Sequence, residues 1–179
     1  MERIGVFLSS HKGLAPAFNQ AAQQLGSWIG KQGKTLVYGG SNSGLMEVLA
    51  SSVKAAGGRV CGIIPQIIVD KGLESDQCDV KFYCADLTDR KAAMERESEV
   101  FVALPGGLGT LDEVFTIVAG STIGLHKKRV ALFNVEGCWD SLWNTLTEME
   151  QKRLISKESL DFIEKIDTFD ELTRFLESC

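Results

Sequence analysis

Three charged residues stand where this sequence could do chemistry: Arg90, Asp112 and Glu113. The two acids close a glycine-rich stretch, Pro105-Gly106-Gly107-Leu108-Gly109-Thr110-Leu111, and the arginine lies upstream in a charged segment. Glycines at a turn let backbone approach a ligand closely, and free N–H groups in the first turn of a following helix favour an anion. A phosphate cradle alone gives no use for two carboxylates, whose charge repels such a ligand. A second turn of the same build, Gly39-Gly40-Ser41-Asn42-Ser43-Gly44, lies earlier in the chain. A third loop, Ser9-Ser10-His11-Lys12-Gly13, offers hydroxyls but not the Gly-x-Gly-x-x-Gly spacing of a dinucleotide site, which counts against an NAD-dependent oxidoreductase.

These residues need elements to hold them. Ile4–Leu8, Thr35–Tyr38, Arg59–Ile64, Val80–Tyr83, Val100–Leu104 and Val130–Phe133 are short apolar or alternating runs that read as strands, the last of them ending the sheet. Between Ala15 and Lys31 the residues Phe18, Ala21, Ala22, Leu25, Trp28 and Ile29 recur at helical spacing, with Pro16 suited to the first turn and Gly33 to the stop. Further helices are expected over Leu45–Ala56, stopped by Gly57-Gly58, and over Asp86–Glu97. On the latter, Arg90, Met94 and Glu97 share a face, while Lys91 points away and can pair with Glu95. After the glycine turn a helix is expected to carry Asp112 and Glu113 two residues from its start. Residues 66–79 have weak periodicity and read as a surface loop over the site.

Strands alternating with helices, with no linker or repeat, make residues 1–179 one α/β domain with a parallel sheet flanked by helices. In such sheets ligands sit beyond the carboxyl ends of the strands, where both glycine turns would lie. The apolar stretch 115–125 has no polar face and is expected to be buried against a second copy, giving a homodimer. Trp139, Leu142, Trp143 and Leu146, and then Phe169, Leu172, Phe175 and Leu176, mark two covering helices.

Composition narrows the function. A chain of 179 residues with 44% hydrophobic residues can bury a sizeable core, and a formal charge of −5 argues against a general nucleic-acid binder. The amino terminus has no leader pattern and no apolar run approaches a membrane span, so a cytoplasmic protein without a membrane partner is expected. Five irregularly spaced cysteines and two histidines suggest neither a disulfide framework nor a metal site.

The motif Pro105-Gly-Gly-x-Gly-Thr-x-x-Glu113, preceded by Arg90-Lys91 and by Tyr38-Gly39-Gly40…Gly44-Leu45-Met46, resembles the LOG family of cytokinin riboside 5′-monophosphate phosphoribohydrolases, many of whose members carry the label "lysine decarboxylase". The resemblance runs from about Ile4 to Val135. It implies a Rossmann-like fold, a homodimer, no cofactor, and hydrolysis of the N-glycosidic bond of a purine nucleoside 5′-monophosphate, with adenine or an N6-modified adenine as the base. It also implies Arg90 and Glu113 as the catalytic pair. Ser10, Gly39, Gly40, Ser41, Lys91, Met94, Gly106, Gly107, Gly109, Thr110 and Asp112 would then bind the substrate and its phosphate. Breaking the bond at C1′ builds positive charge on the ribose, so the ligand would offer a dianion to the N–H groups and a developing cation to the carboxylates. The chain departs from its relatives at Ser41, where many have a third glycine, and at Leu87-Thr88-Asp89 before Arg-Lys; both leave the base preference open.

Two other readings stand beside this one. A similar fold can carry a nucleotide or a molybdenum cofactor without hydrolysing it. In addition, Thr110-Leu111-Asp112-Glu113 fits the Ser/Thr-x-x-Glu capping box, in which the glutamate only satisfies a backbone N–H; Thr168-Phe169-Asp170-Glu171 has the same spacing.

Overall fold

The computed structural model describes residues 2–179. Along the chain run β1 (Arg3–Phe7), α1 (Pro16–Lys31), β2 (Thr35–Tyr38), α2 (Gly44–Ala55), β3 (Arg59–Pro65), α3 (Gln66–Asp70), β4 (Val80–Cys84), α4 (Leu87–Glu97) and β5 (Val100–Ala103). There follow α5 (Leu108–Thr122), β6 (Val130–Phe133), α6 (Asp140–Gln151), α7 (Lys157–Leu160), β7 (Ile163–Ile166) and α8 (Phe169–Glu177). All strand pairs are parallel, in the order β4-β3-β2-β1-β5-β6-β7.

Side chains alternate across the sheet as the two-residue strand period demands. Ile4, Val6, Leu36, Tyr38, Val100 and Val102 face one core with α1, α2 and α8; Phe7, Val37, Phe101, Ala103 and Leu132 face another with α4, α5 and α6. Because both faces are covered, the central strands read as unbroken apolar runs. Phe7 and Phe101 stack across β1 and β5 with ring centroids 5.0 Å apart.

The expected six strands and the parallel α/β architecture are present, with three corrections. β7 is a seventh strand at the sheet edge beside β6. Its sequence, Ile163-Glu164-Lys165-Ile166, buries only its two ends, so its apolar signal is too thin to separate it from the covering helices. Residues 66–79 are not a plain loop: they contain α3, and Ser41 pairs with Glu74 in an isolated antiparallel bridge. Finally, α5 starts at Leu108, which puts Asp112 and Glu113 in its second turn.

No helix among the described residues is long and apolar enough to cross a membrane. Phe115 in the middle of α5 and Ile123 and Leu125 just beyond its end are exposed, the last two 74% and 72%.

Candidate active site

Strand order decides where the crevice lies. From β1 the chain builds outward through β2, β3 and β4 on one side and through β5, β6 and β7 on the other. Adjacent loops leave the sheet in opposite directions between β1 and β5, opening a crevice beyond their carboxyl ends. The loop after β1 is held there by the Ser9 N–H, which donates to the Pro105 carbonyl at 3.2 Å. A cavity of about 520 Å³ opens at this point, lined by the loops after β1, β2 and β5 and by residues of α3, α4 and α5.

Two helix starts border it. α5 has Gly107 as its N-cap and α2 has Ser43, and neither receives a side-chain cap. Their first-turn N–H groups therefore lack side-chain acceptors, as suits an anionic ligand. Ser9, Ser10, Ser41, Ser43 and Thr110 bring hydroxyl-bearing residues to the same cavity.

Arg90 and Glu113 meet in its lining. Arg90 Nη2 lies 2.5 Å from Glu113 Oε1, and the two side chains are only 12% and 5% exposed. The contact is an ion pair by distance, but Oε1 receives no aligned hydrogen bond, and Arg90 Nε is buried with no partner. Burial pushes the Glu113 carboxyl above the ordinary glutamate range; the neighbouring Arg90 charge opposes this without outweighing it. Gly39 makes room for the pair, since a Cβ there would stand 2.5 Å from Arg90 Nη2.

Glu113 is not a capping residue. The N-cap of α5 is Gly107 and Thr110 lies inside the helix, its side chain packed so tightly on Gly106 that a Cβ there would fall 2.0 Å from Oγ1. The capping box does occur at Thr168, whose side chain accepts from the Glu171 N–H while Glu171 accepts from the Thr168 N–H. The two identical spacings therefore do different work.

Of the residues singled out from sequence, Ser10, Gly39, Ser41, Arg90, Gly107, Gly109, Thr110 and Glu113 line the cavity together. Five others do not. Met94 is 1% exposed in the core beneath α4, because helical spacing turns it toward the sheet. Gly40, in the left-handed region with φ 71°, packs on Ile64, and Gly106 packs on Thr110. Lys91 pairs with Asp112 at 2.8 Å on the outer side of α4 and α5, not with Glu95.

Sequence reasoning missed the apolar wall: Met46, Pro65, Ile67, Ile68, Leu73, Leu87 and Leu108 also line the cavity. The adjacent isoleucines after Pro65, within an otherwise polar stretch, were the available signal. Ser9 and His11, from the same loop as Ser10, line the cavity too.

The sheet order and its crevice define a Rossmann-like α/β protein. Among solved structures, the molybdenum cofactor carrier protein of Chlamydomonas reinhardtii matches with a TM-score of 0.74 at 22% identity, over 99% of this chain and 96% of the other. The molybdenum cofactor binding protein of Rippkaea orientalis gives 0.72 at 23%, over 99% and 96%. At such identity the likeness bears on fold alone. In sequence the chain is 35% identical to cytokinin riboside 5′-monophosphate phosphoribohydrolase LOG7 of Arabidopsis thaliana, over 98% of its own length and 81% of that protein. It is also 35% identical to the probable phosphoribohydrolase LOGL6 of Oryza sativa subsp. japonica, over 98% and 70%. Residues 46–176 match the family described as "Possible lysine decarboxylase". The chain belongs to the LOG family.

Proposed function

We propose that the protein hydrolyses the N-glycosidic bond of purine nucleoside 5′-monophosphates, with adenine or an N6-modified adenine as base, to free base and ribose 5-phosphate. The observation that carries this reading is Glu113: a buried carboxylate, without a capping role, beside the two uncapped helix starts. The names of the relatives support the same reaction class.

In this reading the 5′-phosphate sits toward Gly107, Gly109 and Thr110, and C1′ faces Glu113. As the C1′–N bond breaks, its electron pair leaves with the base and positive charge builds on the ribose, which the carboxylate stabilises. Water then bonds to C1′ and gives a proton to Glu113, and a proton passes to the nitrogen of the departing base, so that neutral base and ribose 5-phosphate leave and Glu113 is again ionised. Arg90, paired with Glu113 at 2.5 Å, holds the carboxylate in place and brings a positive charge to the cavity lining. The apolar wall from Ile67 to Leu73 suits a flat base. Lysine decarboxylation lacks support, because pyridoxal phosphate chemistry needs a lysine to form the Schiff base and the described cavity lining includes none. The same reading makes the protein a cytoplasmic homodimer, joined through the apolar surface at Phe115, Ile123 and Leu125.

Incubation with AMP, GMP, CMP and N6-modified AMP, followed by measurement of free base and ribose 5-phosphate, tests the reaction. Release of purine from AMP or its N6-modified form is the expected result. Binding without cleavage of any of the four would instead make the protein a carrier. For the dimer, light scattering at micromolar concentration decides, and a monomer would refute it.

A further inference from the structure

The stretch from Leu73 to Cys78 is fastened to α2 and to the loop after β2 by contacts that the chemistry above does not use. Glu47, on α2, accepts a hydrogen bond from Ser75 Oγ at 2.7 Å and another from Gln77 Nε2 at 3.3 Å. Ser75 is fully buried. Its N–H donates to the Gly40 carbonyl at 2.8 Å, and its hydroxyl oxygen accepts the Gln77 N–H at 3.2 Å. The Asn42 N–H donates to the Leu73 carbonyl at 2.8 Å, beside the Ser41–Glu74 bridge. From the far side, Tyr83 Oη donates to Glu74 at 2.9 Å.

This stretch is therefore a strap with two working surfaces. Leu73, with Ile67 and Ile68, forms part of the apolar wall, and the loop to which the strap is tied contributes Gly39, Ser41 and Ser43 to the same cavity. Glu47 itself does not line the cavity. A carboxylate is suited to this post because it accepts several hydrogen bonds and donates none. Alanine there would leave the buried Ser75 hydroxyl without its acceptor, a loss comparable to deleting a hydrogen bond inside the fold. Glutamine would keep one acceptor for Ser75, and the Gln77 amide can turn to offer its oxygen to the new NH2 group.

We propose that Glu47 is a positioning residue for the ligand site: through Ser75 it fixes the strap against the Gly39–Ser43 loop and sets how tightly the cavity fits its nucleotide. The identity of the ligand rests on the phosphoribohydrolase reading; the clasp itself does not.

The experiment joins amide hydrogen exchange to kinetics in Glu47→Ala, Glu47→Gln and Ser75→Ala. In Glu47→Ala and Ser75→Ala, exchange at the Asn42 and Ser75 amides should rise about tenfold while β1 and β5 stay protected, because only the strap opens. KM for AMP should rise about tenfold with kcat within about threefold, and Glu47→Gln should restore both. Unchanged exchange in the two alanine variants overturns the proposal, as does a fall in kcat with KM unmoved. If the wild type cleaves no nucleotide, the hydrolase reading fails, and exchange with and without AMP still decides the clasp. If Glu47→Ala does not fold, Ser75→Ala carries the same comparison.

Discussion

Gly39 and Arg90 touch so closely that a single methyl group would separate them: a Cβ on Gly39 would lie 2.5 Å from Arg90 Nη2 and 3.3 Å from Met46 Cε. The end of β2 thus sets the position of an arginine carried by α4. Gly39→Ala should leave the fold intact but push the guanidinium off Glu113. Displacements of this size cost about 100-fold in turnover. Steady-state rates on AMP beside a circular-dichroism melting curve check it; a rate within twofold of wild type would show that Arg90 tolerates the shift.

Glu113→Gln should bind AMP with unaltered affinity and lose turnover by about 10²–10⁴-fold, the usual range for a missing general base. As the proposed base, the carboxylate must be ionised to act. Since burial raises its pKa, the acid limb of kcat/KM should lie above pH 4.5, the ordinary glutamate value that the same residue would have in solution. Calorimetry and a pH–rate profile make the measurement. Full turnover in the glutamine variant would remove Glu113 from the chemistry.

Arg90→Met should destabilise the fold by about 3–5 kcal/mol near neutral pH, because it leaves a buried charge without its partner. The sign follows from the raised pKa. The folded protein holds the Glu113 proton more tightly than the unfolded chain, so this site's contribution is fully present below pH 4.5 and is lost as pH rises through the folded pKa. Removing the arginine raises that pKa further. Urea midpoints at pH 5 and pH 8 should therefore differ more in the variant than in the wild type.

Thr168→Ala should cost about 1 kcal/mol of stability through loss of the α8 cap, with turnover untouched. Urea denaturation and the AMP assay together test the separation. A change in kcat would mean that α8 communicates with the cavity, which it does not line.

Much of this arrangement was legible because the strands announce themselves. Val100-Phe101-Val102-Ala103 and Ile4-Gly5-Val6-Phe7 are apolar on both faces, as buried parallel strands must be, and the glycine turns after β2 and β5 mark where backbone approaches something. Periodicity could not show how neighbouring helices face one another. It placed Met94 and Arg90 on one face of α4, as they are, but gave no sign that Met94 lies in the core below the cavity lining or that Lys91 pairs with Asp112 of α5. β7 and the apolar wall were hidden for different reasons: one is a short edge strand with two charges, and the other joins Met46 of α2 and Leu108 of α5, distant in sequence, to the residues between Pro65 and Leu87.

The central position of β1 has a kinetic consequence. Its neighbours are β2 and β5, and the register of Ile4 with Val100 joins residues separated by more than half of the chain. Parallel pairing allows no tight hairpin, so each contact waits on the closure of a long crossover, and such topologies nucleate slowly. The Gly39 loop and Glu113 can face each other only after β1 has docked against both neighbours. During synthesis the cavity therefore stays absent while the first four strands emerge, and it is completed as one late event, with the annealing of β5.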